Sequence, residues 1–230
     1  MPECRRRLSG GIDMASRIMH FAMAQELCQR CNIEDPDRFS LGMLLPDAVV
    51  TGNKKAAGTH FDRMTDSTHK VMDFSKFYEK FEEQVNTDEL YLGYYLHLIE
   101  DCVFRKYIYY GLGLLELRGK EGFLEQLYRD YHSVNGYLAE KYEIIKLPPV
   151  PKELGGEAIN EIYPFEADRF LSDMRGDIGD RYYGDEKYFT AKNADEVIRL
   201  CVNVCAHEIE ALGRGEHFTA PDEYIWEAKK

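Results

Sequence analysis

The feature that most constrains this chain is the stretch from Gly93 to Phe104, GYYLHLIEDCVF, an apolar and aromatic run with His97 and Asp101 set four apart inside it. A run this greasy has to be buried. Leu90, Tyr94, His97, Asp101, Phe104 and Ile108 recur at steps of four and three, the period of the inward stripe of an α-helix. His97 and Asp101 then lie one turn apart on one face, pointing into the protein.

Burial makes that pair expensive. An unpaired carboxylate taken out of water costs several kcal/mol, or takes up a proton to avoid the cost. Three arrangements relieve it. Asp101 can bond His97 directly, it can meet an Arg or Lys from another helix, or both can hold a metal ion, which takes a neutral imidazole and an ionised carboxylate. For this helix alone the direct pair is the simplest, and all three stay open.

The rest of the chain reads as helices joined by loops. Residues 1–13 read as an extension, with structure beginning near Met14. MASRIMHFAMAQELCQRC has good helix formers and no breaker, and His20, Met23, Ala24, Leu27 and Cys31 share a face. Pro36 behind Asp35 marks a second helix start, and Pro46 should end that helix and leave Asp47 in a loop or on a new cap. The glycine- and lysine-rich segment 50–62 reads as a loop containing His60. STHKVMDFSKFYEKFEEQV reads as amphipathic, with Val71, Phe74, Phe77, Tyr78 and Phe81 on one side. Asn86 and Thr87 are cap candidates for the long helix, which should end near Gly111 and Gly113. A further helix follows, with a possible break at Gly136. The proline-rich loop near 147–156 precedes two more helices. Strand alternation is sparse, so the expected class is all-α, a multi-helix bundle in one domain spanning 14–230.

Composition narrows the function. The net charge is −12, and the only basic cluster is CRRR at the start, which disfavours nucleic acid and acidic membrane surfaces as partners. No apolar run is long enough to span a bilayer, and no signal peptide is recognisable, so the default expectation is cytoplasmic. Of the six cysteines, Cys28 with Cys31 and Cys201 with Cys205 could make a four-thiolate zinc site. Both pairs fall in helical stretches rather than knuckle-like turns, so they read as reduced core or helix-face residues.

Each remaining polar candidate has an ordinary explanation taken singly: His20 as a core histidine, His60 as a loop residue. Their order along the chain adds something. MASRIMHFAMAQEL with His20, LGMLLPDAV with Asp47, GTHF with His60 and YLGYYLHLIEDCVF with His97 and Asp101 together resemble the bacterial zinc-dependent phospholipase C-like family. That family is related in fold to the zinc-dependent single-strand nucleases. The likeness covers roughly residues 14–110. It implies that Asp47, His60, His97 and Asp101 hold one zinc ion and that Asp101 bridges to a second held with His20. It also implies a phosphoesterase using one or two ions to activate water and clamp a phosphoryl centre, with Asp47 and Asp101 as the catalytic carboxylates. The substrate it implies is a small phosphoester or phospholipid-like molecule.

The chain departs from the three-metal members of that family. Thirteen residues precede Met14, where those enzymes place a ligating N-terminal amine, and residues 102–131 contain no histidine. His69, Asp130, His132, His207 and Glu208 are candidates to complete a second position, though each has a plainer reading as core or surface. HEIEA lacks the second histidine of H-E-x-x-H, and the helical H…HD…D phosphohydrolases need an adjacent His-Asp pair that does not occur here. The alternative to an enzyme is a helical binding or structural protein with a structural or vestigial metal site.

Overall fold

The computed structural model describes residues 15–49, 58–161 and 164–228. The proposed extension 1–13 and most of the 50–62 loop lie outside the described residues. Among those described there are seven α-helices and three short strands, an all-α architecture. The helices are α1 (Arg17–Arg30), α2 (Pro36–Gly42), α3 (Phe74–Val85), α4 (Glu89–Lys106), α5 (Phe123–Lys141), α6 (Ala167–Ile178) and α7 (Ala191–Leu212). No helix among them is long and apolar enough to cross a membrane.

Helix α4 is the axis of the molecule. It packs against α1, α2, α3 and α7, and 15 of its 18 residues are buried. The expected stripe from Leu90 to Ile108 is buried throughout, but the other faces are covered as well. A helix apolar on all sides belongs at the centre of a bundle rather than on its rim. The N-terminal half of α1 is likewise enclosed, with Ile18 to Ala24 all buried.

Local chemistry sets the helix ends. The Ser16 hydroxyl accepts from the Met19 amide to start α1, and Asp35 caps α2 with Pro36 as its first residue. For α4 the cap is Asp88, whose carboxylate accepts from the Leu90 amide. The expected caps Asn86 and Thr87 instead close the preceding helix, their side chains donating to the carbonyls of Glu82 and Glu83. Helix α4 gives way at Tyr107 to a single π turn ending at Gly111, within the span expected for its end.

Two readings of local structure are corrected. Val71 does not begin a helix with Phe74. The His69–Met72 segment is strand β2, paired antiparallel with β1 (Asp62–Met64) and with β3 (Trp226–Glu227). Asp66 accepts from the amides of Thr68 and His69, folding a tight turn that sends the chain back along β1 before α3 can start. Gly136 does not break α5, which is continuous. The glycine is there for packing, since a Cβ on it would lie 2.5 Å from the Asp180 carbonyl of the segment crossing it.

The tightest crossing is that of α2 on α4. A Cβ on Gly42 would sit 2.1 Å from the Leu90 carbonyl, and one on Gly93 would sit 2.3 Å from the Phe39 carbonyl. Only hydrogen at both positions lets the two backbones touch. This contact brings the residues after α2, from Met43 to Asp47, against the middle of α4.

Candidate metal centre

The five candidate residues come from four separate segments, and the fold brings all of them together. His20 comes from α1, Asp47 from the 3-10 turn Leu45–Asp47, His60 from the turn before β1, and His97 and Asp101 from α4. His20, His97 and Asp101 are completely buried. The side chains of His60 and Asp47 are 12% and 17% exposed, so the group opens to solvent along that edge alone.

Donor atoms converge on a point. His60 Nε2 lies 3.3 Å from His97 Nε2 and 3.4 Å from Asp101 Oδ2. His97 Nε2 lies 3.5 Å from Asp101 Oδ2, and Asp47 Oδ1 lies 3.5 Å from His60 Nε2. In a tetrahedral zinc site with bonds of about 2.0–2.1 Å the ligand atoms are about 3.3–3.4 Å apart. These four edges match that spacing, whereas they are long for hydrogen bonds; Asp47 joins the group through His60 and His97. Asp101 Oδ2 is buried and makes no hydrogen bond, which a native interior avoids unless another partner is intended.

The second oxygen of Asp101 faces the other way. Its Oδ1 accepts from the Ala15 amide and lies 3.3 Å from His20 Nε2. His20 Nε2 is also buried without a hydrogen bond. The His20 and His97 rings stack with centroids 4.0 Å apart, each with its Nε2 toward a different oxygen of Asp101.

Supporting contacts fix the rings. His97 Nδ1 donates to the Met43 carbonyl at 2.8 Å. A carbonyl only accepts, so the proton is on Nδ1 and the Nε2 lone pair of a neutral ring faces the cluster. His60 is steadied by the Thr59 hydroxyl, 3.0 Å from its Nδ1. Tyr94 holds that turn from below, donating to the Thr59 carbonyl at 2.8 Å. Phe61, next in the chain, has φ of 55°, a left-handed conformation that costs a non-glycine residue about 1–2 kcal/mol. Its ring is held edge-on to Phe77.

Charge is balanced toward a cation. Burial pushes Asp101 up, but His97, His20 and His60 outweigh it and hold its carboxyl well below the usual range. Burial likewise opposes ionisation of Asp47, and His60 and His97 overcome it. Burial alone would lower His60; Asp101 and Asp47 instead raise it to about 9. His20 rises to about 10 against burial because Asp101 and Glu100 flank it. His97 stays below its ordinary value through burial and the neighbouring His20. Two ionised carboxylates thus ask for positive charge at a point where imidazole nitrogens converge, and protons or a metal ion would satisfy them.

The secondary candidates are elsewhere. Asp130 is buried, accepting from the amides of Lys187, Tyr188 and Phe189. Glu208 accepts from the Phe218 and Thr219 amides and from the Tyr95 hydroxyl. His69 pairs with Asp66, and His207 packs on Phe218. His132 pairs with Asp180 at the surface, beside an Asp177 that is held by Arg17. No cysteine belongs to a ligating cluster among the described residues. Cys201 and Cys205 are buried on α7, as a helix-face reading expects.

One residue escaped the sequence reading. Glu100 has no exposed surface, and its Oε2 lies 2.9 Å from His20 Nδ1. Burial raises its carboxyl to about 7 despite that contact. The available signal was a second acid beside Asp101 within an otherwise apolar run. Comparison with protein-family models, curated proteins and solved structures finds no match to this chain. What the centre can do is therefore argued from its own geometry.

Proposed function

We propose that this chain is a zinc-dependent hydrolase of phosphoesters, of the phospholipase C-like type that its ordered motifs resemble. The approach of His60 to Asp47, His97 and Asp101, and of His97 to Asp101, at 3.3–3.5 Å, with Asp101 Oδ2 buried and without a hydrogen bond, carries the reading. Those four residues would hold a first ion, and His20 with Asp101 would hold a second. Bound there, such ions act as Lewis acids that activate water and neutralise charge on phosphoryl oxygens. Asp101 sets the distance between the positions by offering one oxygen to each. His97 presents a fixed lone pair, His60 would offer Nε2 once a cation displaces its proton, and the buried rings of His20 and His97 close the inner side against solvent. Substrate meets the centre from the Asp47 and His60 edge. With a net charge of −12, a small soluble phosphodiester suits the surface better than an anionic bilayer.

The first position already has four protein donors, a closed shell of the kind structural zinc sites show. That favours a second reading, in which the ion ties α2 and the His60 turn to α4 and does no chemistry. The two readings part at the second position, which has two protein donors and would leave coordination places open.

Zinc analysis of the purified full chain beside His97→Ala and Asp101→Ala tests the metal. The proposal expects stoichiometric zinc in the wild type and its loss in both variants. Wild type without zinc, or variants that retain it, would overturn it. A panel of chromogenic phosphomonoesters and phosphodiesters with added zinc tests the activity. Silence across the panel in zinc-loaded protein would select the structural reading.

A further inference from the structure

Beyond the five converging residues, Glu100 is a fully buried acid that touches the centre and has no part in the ligand set. It lies on α4, three residues after His97 and next to Asp101. Its Oε2 lies 2.9 Å from His20 Nδ1, and its Oε1 has no hydrogen-bond partner. Around it α7 packs closely enough for the Cys201 thiol to donate to the Glu100 backbone carbonyl. A leucine would fill this volume without the cost of burying a carboxylate. The acid is therefore useful for something other than packing.

From this we infer that Glu100 is the positioning residue for a second metal position, fixing the ring of His20 so that Nε2 faces Asp101 Oδ1. An ionised Glu100 can only accept, which puts the proton of a neutral His20 on Nδ1 and turns its Nε2 lone pair toward the Oδ1 lone pairs, 3.3 Å away. Two lone pairs at that distance repel unless a positive centre stands between them. A proton there would make a charge-assisted bond, and those close to about 2.7–2.9 Å. A zinc ion bound to both at about 2.1 Å would subtend about 104° across the same gap, close to the tetrahedral angle. The spacing fits the ion and is long for the proton. The inference rests on the two-ion reading above and extends it to a residue outside the ligand set. Carboxylates that orient a ligating histidine through its other nitrogen are a general device of metal sites.

The test is a zinc titration of the full chain, monitored by competition with a chromophoric chelator and by metal analysis after desalting. Wild type should take up two ions in two affinity classes. Glu100→Gln should weaken the second class by about 10- to 100-fold and leave the first within twofold. His20→Ala should abolish the second class and keep the first. Equal affinities for both ions in Glu100→Gln and wild type would overturn the inference. So would a variant that loses thermal stability in chelator while its zinc affinities do not change, since that is a structural pair only. Wild type that takes one ion overturns the inference and leaves the first position standing; wild type that takes none overturns both. Should Glu100→Gln fail to fold, the histidine side-chain nitrogen spectrum of zinc-loaded wild type decides. His20 protonated at Nδ1 supports the inference, and protonation at Nε2 overturns it.

Discussion

His97 Nδ1 and the Met43 carbonyl are joined by a 2.8 Å hydrogen bond, and the crossing of α2 on α4 exists at the distance that makes this bond possible. Met43 follows Gly42 directly, and Gly93 lies one turn before His97. The orientation of a candidate ligand thus depends on two missing side chains.

Gly93→Ala should therefore damage the centre without touching it. Its Cβ would meet backbone, which cannot rotate away, so α2 has to shift. We expect a loss of about 1–3 kcal/mol in denaturant unfolding, and weaker zinc retention from a misplaced Met43 carbonyl. Gly176→Ala is the control. It sits within α6 with open space around it, and should be neutral or slightly stabilising.

Asp101 and Asp47 should differ when neutralised. Asp101 offers an oxygen toward each position, so Asp101→Asn should abolish or greatly weaken uptake of both ions. Asp47 contacts only the His60 side, so Asp47→Asn should weaken one. Metal stoichiometry of the two desalted variants distinguishes them.

The cap of α4 predicts an acid-sensitive stability. Arg38 grips both oxygens of Asp88 at 2.6 Å, and the Leu90 amide donates to one of them. Burial raises the Asp88 carboxyl, but these partners outweigh it and hold it below the ordinary value. The stabilisation is fully present above about pH 4, the unfolded value, and is lost as pH falls through the depressed folded value. Thermal melts between pH 6 and pH 2 should show a steeper acid loss for wild type than for Asp88→Asn.

Asp130 should matter for folding and not for metal. Replacing it with alanine strands three amides and the Gln126 side chain that now donate to it. The expected cost is on the order of 3 kcal/mol, with zinc stoichiometry unchanged in the folded fraction.

Much of this architecture was legible because it is periodic. The stripe through His97 and Asp101, the face of α1 carrying His20, and the start of α2 at Pro36 all follow from local rules. Strand β2 was not legible, because Val71 falls in phase with the helix that follows and the Asp66 turn looks like any polar loop. The α4 cap was misassigned within three adjacent capping-type residues, where only the direction of each side chain decides. Spacing alone could not show that Asp47 meets α4, since glycine-on-backbone contact sets that approach, nor that His60 does, since its turn is held by the Tyr94 bond to the Thr59 carbonyl. Glu100 was hidden by its position off the stripe, on a helix that turns out to have no outer face.

The uneven exposure of the centre has a kinetic consequence. Three of the five residues have no contact with solvent, while His60 and Asp47 form the only exposed edge. An ion seated against Asp101 would leave only when that edge swings aside. Its residence time would then be governed by motion of the His60 turn, held by Tyr94 at the Thr59 carbonyl, rather than by the strength of the bonds alone. Removing the Tyr94 hydroxyl should shorten the lifetime of bound metal in a chelator chase more than it lowers equilibrium affinity, making the turn a gate for exchange.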